Sequence, residues 1–340
     1  MKHANIALFV PHVGCPHRCS FCDQRRITGQ EKLPRREDVI QAVETALCSG
    51  KCDPKETEIA FFGGSFTAMG PSYQEELLSA AFHFVQNGEV SGIRISTRPD
   101  AIDETTLQRL KQYGVSAIEL GAQSMDDNVL EKNRRGHTAE QVVTASEAIR
   151  RSGFSLGLQM MTGLYGDTPD GARYTAKALA DCSPDTMRIY PTLVLHGTEL
   201  EALYRSGEYT PMELEEAVSL CSELLTFFEE RQIRVIRLGL HDSGETAGCV
   251  AGPYHPAFAQ LCRSRVFLQK VTSYLREKNV SEGELRICVH PKTLSDAIGQ
   301  KRHNLKALEA LGYICRMIPD DAMLERDFRI EMIQNTTEKR

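Results

Sequence analysis

The sequence predicts an α/β fold: a partial (β/α) barrel followed by a small α+β C-terminal module. Apolar runs rich in β-branched residues alternate with helically periodic segments through the first two thirds of the 340 residues, the pattern of repeated βα units around a parallel sheet. Glycine-bearing and polar motifs fall at the ends of those runs, where barrel sites are built. Past Leu238 the alternation stops and a different order of elements begins, so the expected division is a barrel domain over 1–240 and an accessory module over 241–340.

Strands are expected at 6–13, 58–62, 92–97, 117–120, 156–161, 187–193 and 234–238, with helices at 36–47, 73–85, 104–113, 139–152, 172–180 and 212–230. Ser72 is placed to start the second helix, and Thr138 with Gln141 forms a capping box for another. Gly88, Gly114 and Gly153 fall where helices should stop.

Composition narrows the class. The chain is 41% hydrophobic and 25% charged, without low-complexity tracts and without an apolar run long enough for a bilayer. Its first residues enter an apolar run almost at once, which leaves no room for a signal peptide and predicts a cytoplasmic protein with no membrane association. Eleven cysteines in a reducing compartment point to metal or catalytic use, not to a disulfide framework. The net charge of −6 argues against coating nucleic acid by overall field and leaves local basic patches open.

Cys15-Pro16-His17-Arg18-Cys19-Ser20-Phe21-Cys22 is the densest chemical signal. Three thiolates can hold a [4Fe-4S] cube that normally takes four, leaving one iron open. A structural zinc site wants four ligands in paired clusters, and His17 sits too close to Cys15 to complete one. Three incidental buried cysteines within eight positions would be unusual.

This run resembles the radical S-adenosylmethionine (SAM) superfamily. The resemblance implies that Cys15, Cys19 and Cys22 hold a [4Fe-4S] cluster and that SAM chelates its open iron. An electron from the cluster would then break a carbon–sulfur bond and release a 5′-deoxyadenosyl radical. Phe21, inside the run, is carried over as a cofactor neighbour. Phe61-Phe62-Gly63-Gly64-Ser65 resembles the superfamily's glycine motif, which assigns Gly63, Gly64 and Ser65 to the SAM amino group. Read from the residues alone, it fits a tight strand-to-helix turn equally well.

Ser96-Thr97-Arg98-Pro99-Asp100, Glu119-Leu120-Gly121-Ala122-Gln123-Ser124 and Asn133-Arg134-Arg135-Gly136-His137-Thr138 narrow the likeness to the Elp3-like radical SAM domain, over about residues 1–240. A more distant likeness is to oxygen-independent coproporphyrinogen oxidase. It places Gln123, Arg135 and Gln159 around SAM, with Gln159 standing where that pattern has an acid. Arg98 at a strand end has the fork to clamp a carboxylate, or else belongs to the turn made by Pro99 and Asp100. Elp3 itself spaces its cysteines differently and carries an acetyltransferase domain for which this chain is too short, so acetyl-CoA chemistry is not expected.

Other candidates lie on loops. His196 could face the barrel mouth but is expected to be a surface residue. The stretch 239–256, rich in Gly, His and Pro, offers His241, Asp242, Cys249 and His255 as possible substrate contacts or as a loop over the mouth. In the last hundred residues a helix (257–277), strand (284–290), helix (293–298), the turn Gly299-Gln300-Lys301-Arg302, helix (304–311) and strand (313–318) are similar in order to a KH RNA-binding domain. Arg302 replaces the second glycine of the KH turn. Lys301, Arg302, His303 and Lys306 make a basic patch suited to phosphate, or the hairpin is purely structural.

Together these imply an enzyme that cleaves SAM reductively to modify RNA, tRNA or rRNA, with a flavodoxin or ferredoxin as electron donor. A small-molecule substrate such as a tetrapyrrole, and a non-catalytic zinc-bearing RNA-binding protein, are the alternatives.

Overall fold

Residues 4–10, 19–22, 32–50, 52–240 and 248–332 are described by a computed structural model. The chain divides into two compact units, one of Met1–Leu214 with Phe228–Tyr254, the other of Glu215–Phe227 with His255–Arg340.

The first unit is a seven-stranded parallel sheet in the order β1 (Ala4–Val10), β2 (Thr57–Gly63), β3 (Gly92–Thr97), β4 (Val115–Gln123), β5 (Ser155–Thr162), β6 (Thr186–Pro191) and β8 (Arg234–Leu238). Sequential strands are spatial neighbours, as βα units joined by helical crossovers require. The crossovers include α1 (Arg36–Cys48), α2 (Pro71–Gln86), α3 (Glu104–Gln112), α5 (Ala139–Arg151) and α6 (Pro169–Asp181). Two short helices, α4 (Asp127–Lys132) and α7 (Glu199–Ser206), carry too few turns for periodicity to reveal them. The helix over 212–230 is α8, Leu214–Glu230.

Register divides the sheet into two faces. Ile59, Ile93, Phe61, Ile95, Ile118, Leu120, Leu156, Leu158, Met187 and Ile189 are buried to within 1% exposure. They line up across neighbouring strands as Ile59↔Ile93, Ile95↔Ile118, Leu120↔Leu158 and Leu158↔Met187. The alternate positions carry Glu58, Phe62, Arg94, Ser96, Glu119, Gln159, Arg188 and Tyr190, so the other face is polar. Strands buried on both faces usually read as continuous apolar runs. Charges at alternate positions therefore mark a lined cavity side.

Local signals explain the ends. Thr138 and Gln141 form the reciprocal capping box of α5. Gly88, Gly114 and Gly153 all adopt positive φ after helices. The start of α2 differs from expectation: Gly70 is the cap and Pro71 the first helical residue, because a proline lacks the N–H that this position would leave unpaired. The apolar run at 187–193 also divides. β6 stops at Pro191, and β7 (Val194–Leu195) turns away to pair antiparallel with β9 (Cys249–Ala251). Residues 11–13 of the expected first strand lie outside the described residues.

The second unit contains α9 (Phe258–Glu277), β10 (Gly283–Val289), α10 (Leu294–Ile298), α11 (His303–Ala310), β11 (Tyr313–Pro319) and β12 (Phe328–Met332), the last not anticipated. Its sheet runs β11-β10-β12, parallel then antiparallel. Leu285, Ile287 and Val289 of β10 pack with Phe267, Val271 and Leu275 of α9 and Leu308 of α11 to make its core. Between α10 and α11 the turn runs through Gly299 (φ 74°), Lys301 (φ 51°) and Arg302 (φ 60°). A Cβ at Gly299 would stand 2.8 Å from Ser264 Oγ and 3.1 Å from the Asn304 nitrogen, so glycine is obligatory there. No helix among the described residues is long and apolar enough to cross a membrane.

Candidate active site

Cys19 and Cys22 sit on a short turn closed by Cys22 N–H donating to the Cys19 carbonyl at 3.2 Å. Cys15, His241 and Asp242 lie outside the described residues. Two anchors hold the turn. Phe21 packs into a small cluster with Val194, Leu200 and Tyr209. Asn133, fully buried, binds it through polar contacts: Ser20 N–H donates to the Asn133 carbonyl at 3.2 Å, and Ser20 Oγ to Asn133 Oδ1 at 2.7 Å. The Asn133 amide in turn donates to the Val129 and Tyr165 carbonyls at 2.8 and 2.9 Å. On the far side, Leu200 N–H of α7 donates to the Ser20 carbonyl at 2.8 Å.

Arg135, two residues beyond Asn133, brings a guanidinium to the thiols. Its Nη1 donates to Cys19 Sγ at 3.0 Å and its Nη2 to the Gly121 carbonyl at 2.6 Å. Among the described residues, Arg135 Nε is buried with no hydrogen-bond partner, as is Nδ1 of His137. His137 Nε2 lies 3.1 Å from the Ala122 carbonyl. Burial, reinforced by the positive charge of Arg135 and Arg98, pushes the His137 pKa down to about 4, so the ring is neutral near pH 7. Buried polar atoms rarely go unpaired, so both atoms call for a partner beyond the described residues.

Arg98 has its fork engaged within the chain. Its Nε and Nη2 clamp both carboxylate oxygens of Asp100 at 2.8 and 2.9 Å, and Nη2 also donates to the Arg135 carbonyl at 2.5 Å. The guanidinium is thus committed to holding the Arg135 segment.

The glycine motif is equally well braced. Gly63 has φ 106°, and a Cβ there would stand 2.9 Å from the Val10 carbonyl oxygen. Gly64 N–H donates to that same oxygen at 2.7 Å. Ser65 Oγ lies 2.9 Å from Thr97 Oγ1 and accepts from Arg98 N–H at 3.1 Å. The turn is therefore locked between β1 and β3, which fixes where its remaining groups point.

Gln123 at the end of β4 meets Gln159 within β5, with Gln159 Nε2 donating to Gln123 Oε1 at 3.2 Å. Gln123 adopts φ 68°, a left-handed backbone unusual for a non-glycine residue and typical of functional sites. A register shift between Gly121 and Gln123 re-aims this strand end. Both side chains close tightly over Gly121, where a Cβ would lie 3.0 Å from Gln123 Nε2 and 3.4 Å from Arg135 Nη2.

Beneath these groups the polar face carries a buried charge cluster that the sequence did not single out. Arg94 donates from Nε to Glu58 Oε2 at 2.8 Å and from Nη1 to Glu119 Oε1 at 3.3 Å. Arg188 Nη2 donates to Glu119 Oε1 at 2.9 Å, with Nε 2.7 Å from Oε2. The Arg188 guanidinium lies 5.0 Å from the Phe62 ring centroid, and Nη1 reaches the Tyr190 hydroxyl at 3.4 Å. Burial alone opposes the Arg188 charge, yet Glu119 and Tyr190 outweigh it and raise the pKa. Gly157 makes room, because a Cβ there would stand 2.8 Å from Glu119 Cγ. Arg and Glu at alternate strand positions beside an unexplained glycine were the available signal.

Other sequence candidates stand apart. His196 is an exposed side chain whose Nδ1 lies 3.0 Å from Glu201 Oε2. Cys249 sits in β9. Lys301, Arg302 and Lys306 are exposed on the second unit and have no ion-pair partner among the described residues.

One guanidinium thus joins a free thiol to the strand end that leads into the left-handed Gln123, and the chain belongs to the radical SAM superfamily. The radical SAM superfamily sequence model matches residues 9–179, and the radical SAM C-terminal domain model matches 184–267. Among particular proteins, it is similar to the tRNA uridine(34) acetyltransferase of Methanocaldococcus jannaschii, 29% identical over 258 residues, 64% of this chain and 48% of that protein. Elongator complex protein 3 of Saccharomyces cerevisiae is 27% identical over 192 residues, 50% of this chain and 34% of that protein. The archaeal Methanocaldococcus infernus Elp3 with an N-terminal deletion superposes with a TM-score of 0.64 at 20% identity, covering 83% of this chain and 64% of that one. The chain spans about half the length of the first of these curated relatives. The superfamily's cofactors are a [4Fe-4S] cluster and SAM, and the residues present fit them. Cys19 and Cys22 are free cysteines on one turn, and the Arg135 guanidinium stands against Cys19.

Proposed function

We propose that this enzyme modifies RNA by radical chemistry, with tRNA as the substrate class. The observation that carries the substrate is the 258-residue likeness to a protein named as acting on uridine 34 of tRNA. The exposed, unpaired Lys301, Arg302 and Lys306 support it, since phosphate contacts supply most sequence-independent affinity. Lys301 and Arg302 also hold left-handed backbone without glycine, a cost of the kind retained at functional turns.

In this reading Cys15, Cys19 and Cys22 ligate the cluster, and Gly63, Gly64, Ser65, Gln123, Arg135 and Gln159 surround SAM. When bound, the two cofactors supply a carbon-centred radical that takes hydrogen from substrate. The chain's own part is positioning. Phe21 and Asn133 fix the cysteine turn, Arg98 fixes Arg135, and Arg135 sets a cation against Cys19. The Glu119–Arg188 pair and Phe62 line the polar face below. The protein works in the cytoplasm and takes electrons from a flavodoxin or ferredoxin.

Anaerobically reconstituted protein with dithionite is expected to release 5′-deoxyadenosine, while Cys19→Ala does not. Mass spectrometry of nucleosides from tRNA of cells with and without the gene then tests the substrate. An unchanged nucleoside profile in both tRNA and rRNA overturns it.

A further inference from the structure

The outer face of the C-terminal sheet sets two arginines side by side. In register, Arg286 of β10 stands opposite Arg316 of parallel β11 and opposite Glu331 of antiparallel β12. The next row places Cys288 between Ile318 and Arg329. Leu285, Ile287 and Val289 point the other way, into the core, so these two rows face outward. They border a groove of about 360 Å³.

Like charges directly opposite across a sheet are destabilising. The surrounding carboxylates relieve the pair only in part. Glu331 and Asp320 are held by Arg329 at 3.1 and 3.2 Å. Glu284 stands 3.9 Å from Arg316. Arg286 has no ion-pair partner among the described residues, although it is exposed at the middle of the sheet. A central strand carrying a guanidinium beside another, with a facing carboxylate already engaged by Arg329, is poor design for stability. It is good design for an anion, since each planar fork matches two phosphate oxygens. The floor between them, Cys288 and Ile318, is apolar and suits a sugar or base edge.

We propose that this groove binds the phosphodiester backbone of an RNA strand, through Arg286 and Arg316 with Arg329 at its rim. The proposal rests on the RNA reading above and names a surface distinct from the turn at Lys301 and Arg302. An acidic protein segment is the other polyanion such a groove could take. RNA is favoured because the same unit presents further unpaired cations at Lys301, Arg302 and Lys306.

The test uses the full chain and fluorescence anisotropy with a labelled oligouridylate and with mixed tRNA, across a salt series. Arg286→Gln with Arg316→Gln is expected to weaken binding about tenfold at low salt and to reduce the slope of log K against log salt by about 1.4, as loss of two phosphate contacts to a single strand requires. SAM cleavage without RNA stays unchanged. Arg316→Glu, which gives Arg286 a partner, is expected to raise the melting temperature while lowering RNA affinity; a purely structural arginine would show the opposite stability change. Wild-type affinity and slope in the double variant overturn the groove and leave the RNA reading standing. Failure of the wild-type chain to bind either RNA overturns both. Tighter binding of polyglutamate than of oligouridylate at equal salt overturns RNA as the occupant.

Discussion

Arg135 donates to Cys19 Sγ at 3.0 Å while its other arm holds the Gly121 carbonyl at 2.6 Å. One guanidinium therefore links Cys19, a proposed cluster ligand, to the end of β4, where Gln123 turns into left-handed backbone. Hydrogen bonds to cluster sulfurs stabilise the reduced, more negative state and raise the potential. Arg135→Gln is expected to lower the cluster's reduction potential, measured by spectroelectrochemistry, while the cluster's visible absorbance survives. Arg135→Lys, which keeps charge but loses the fork, falls between the two. An unchanged potential in both variants would remove Arg135 from this role.

Asn133 joins three chain segments and is buried to 0% exposure. Asn133→Ala leaves the Val129 and Tyr165 carbonyls and Ser20 Oγ without it, at about 1–3 kcal/mol for each group that stays buried and unpaired. The expected outcome is faster iron loss to a chelator from reconstituted protein, with the far-ultraviolet dichroism of the wild type. Asn133→Asp keeps the acceptor but loses both donated bonds, and is expected to recover little.

The Glu58, Arg94, Glu119 and Arg188 cluster balances two cations against two anions within the sheet. Breaking a buried pair by removing one partner costs about 3–5 kcal/mol, because a charge is left uncompensated. Glu119→Ala strands Arg188, leaves Arg94 with Glu58 alone, and should lower the melting temperature by about 10 °C, at the rate of some 2–4 °C per kcal/mol for a domain of this size. Gly157→Ala drives a methyl against Glu119 and should cost about 1–3 kcal/mol by overpacking. Calorimetry on the single variants decides both.

Stability should fall on mild acidification in a way that depends on His137. Its folded pKa of about 4 lies below the ordinary 6.5, so between those values the unfolded chain binds a proton that the folded chain refuses. Stability from this group is full above about pH 6.5 and declines as pH falls toward 4. Asp167, raised by burial to about 6 from 3.8, works in the opposite sense over much of that range. His137→Gln removes only the first effect. The melting temperature should drop less between pH 7 and pH 5 in this variant than in the wild type, and an equal drop would exclude His137 as the cause.

Much of the fold was legible because its signals are local. Thr138 and Gln141 act within one turn, and Gly88, Gly114 and Gly153 end helices by their own backbone freedom. The small helices α4 and α7 and the strand β12 were not legible, since a few residues carry too little periodicity. Ser72 lost the helix start to the Gly70-Pro71 pair for the same reason, two local signals competing within three positions.

The sequence by itself determined the parallel sheet, through alternation of apolar runs and helices, and its three closely spaced cysteines carried the resemblance to the radical SAM superfamily. Tertiary structure alone decided what the charged residues do. Arg98 could have gripped a ligand, but the turn brings Asp100 back to it and the fold brings Arg135 beneath it. Glu119 and Arg188 are unremarkable strand residues until register places β5, with Gly157 cut back to a hydrogen, between β4 and β6. Electrostatic pairing acts over a few ångströms in space and is indifferent to separation along the chain, so only the folded sheet reveals it.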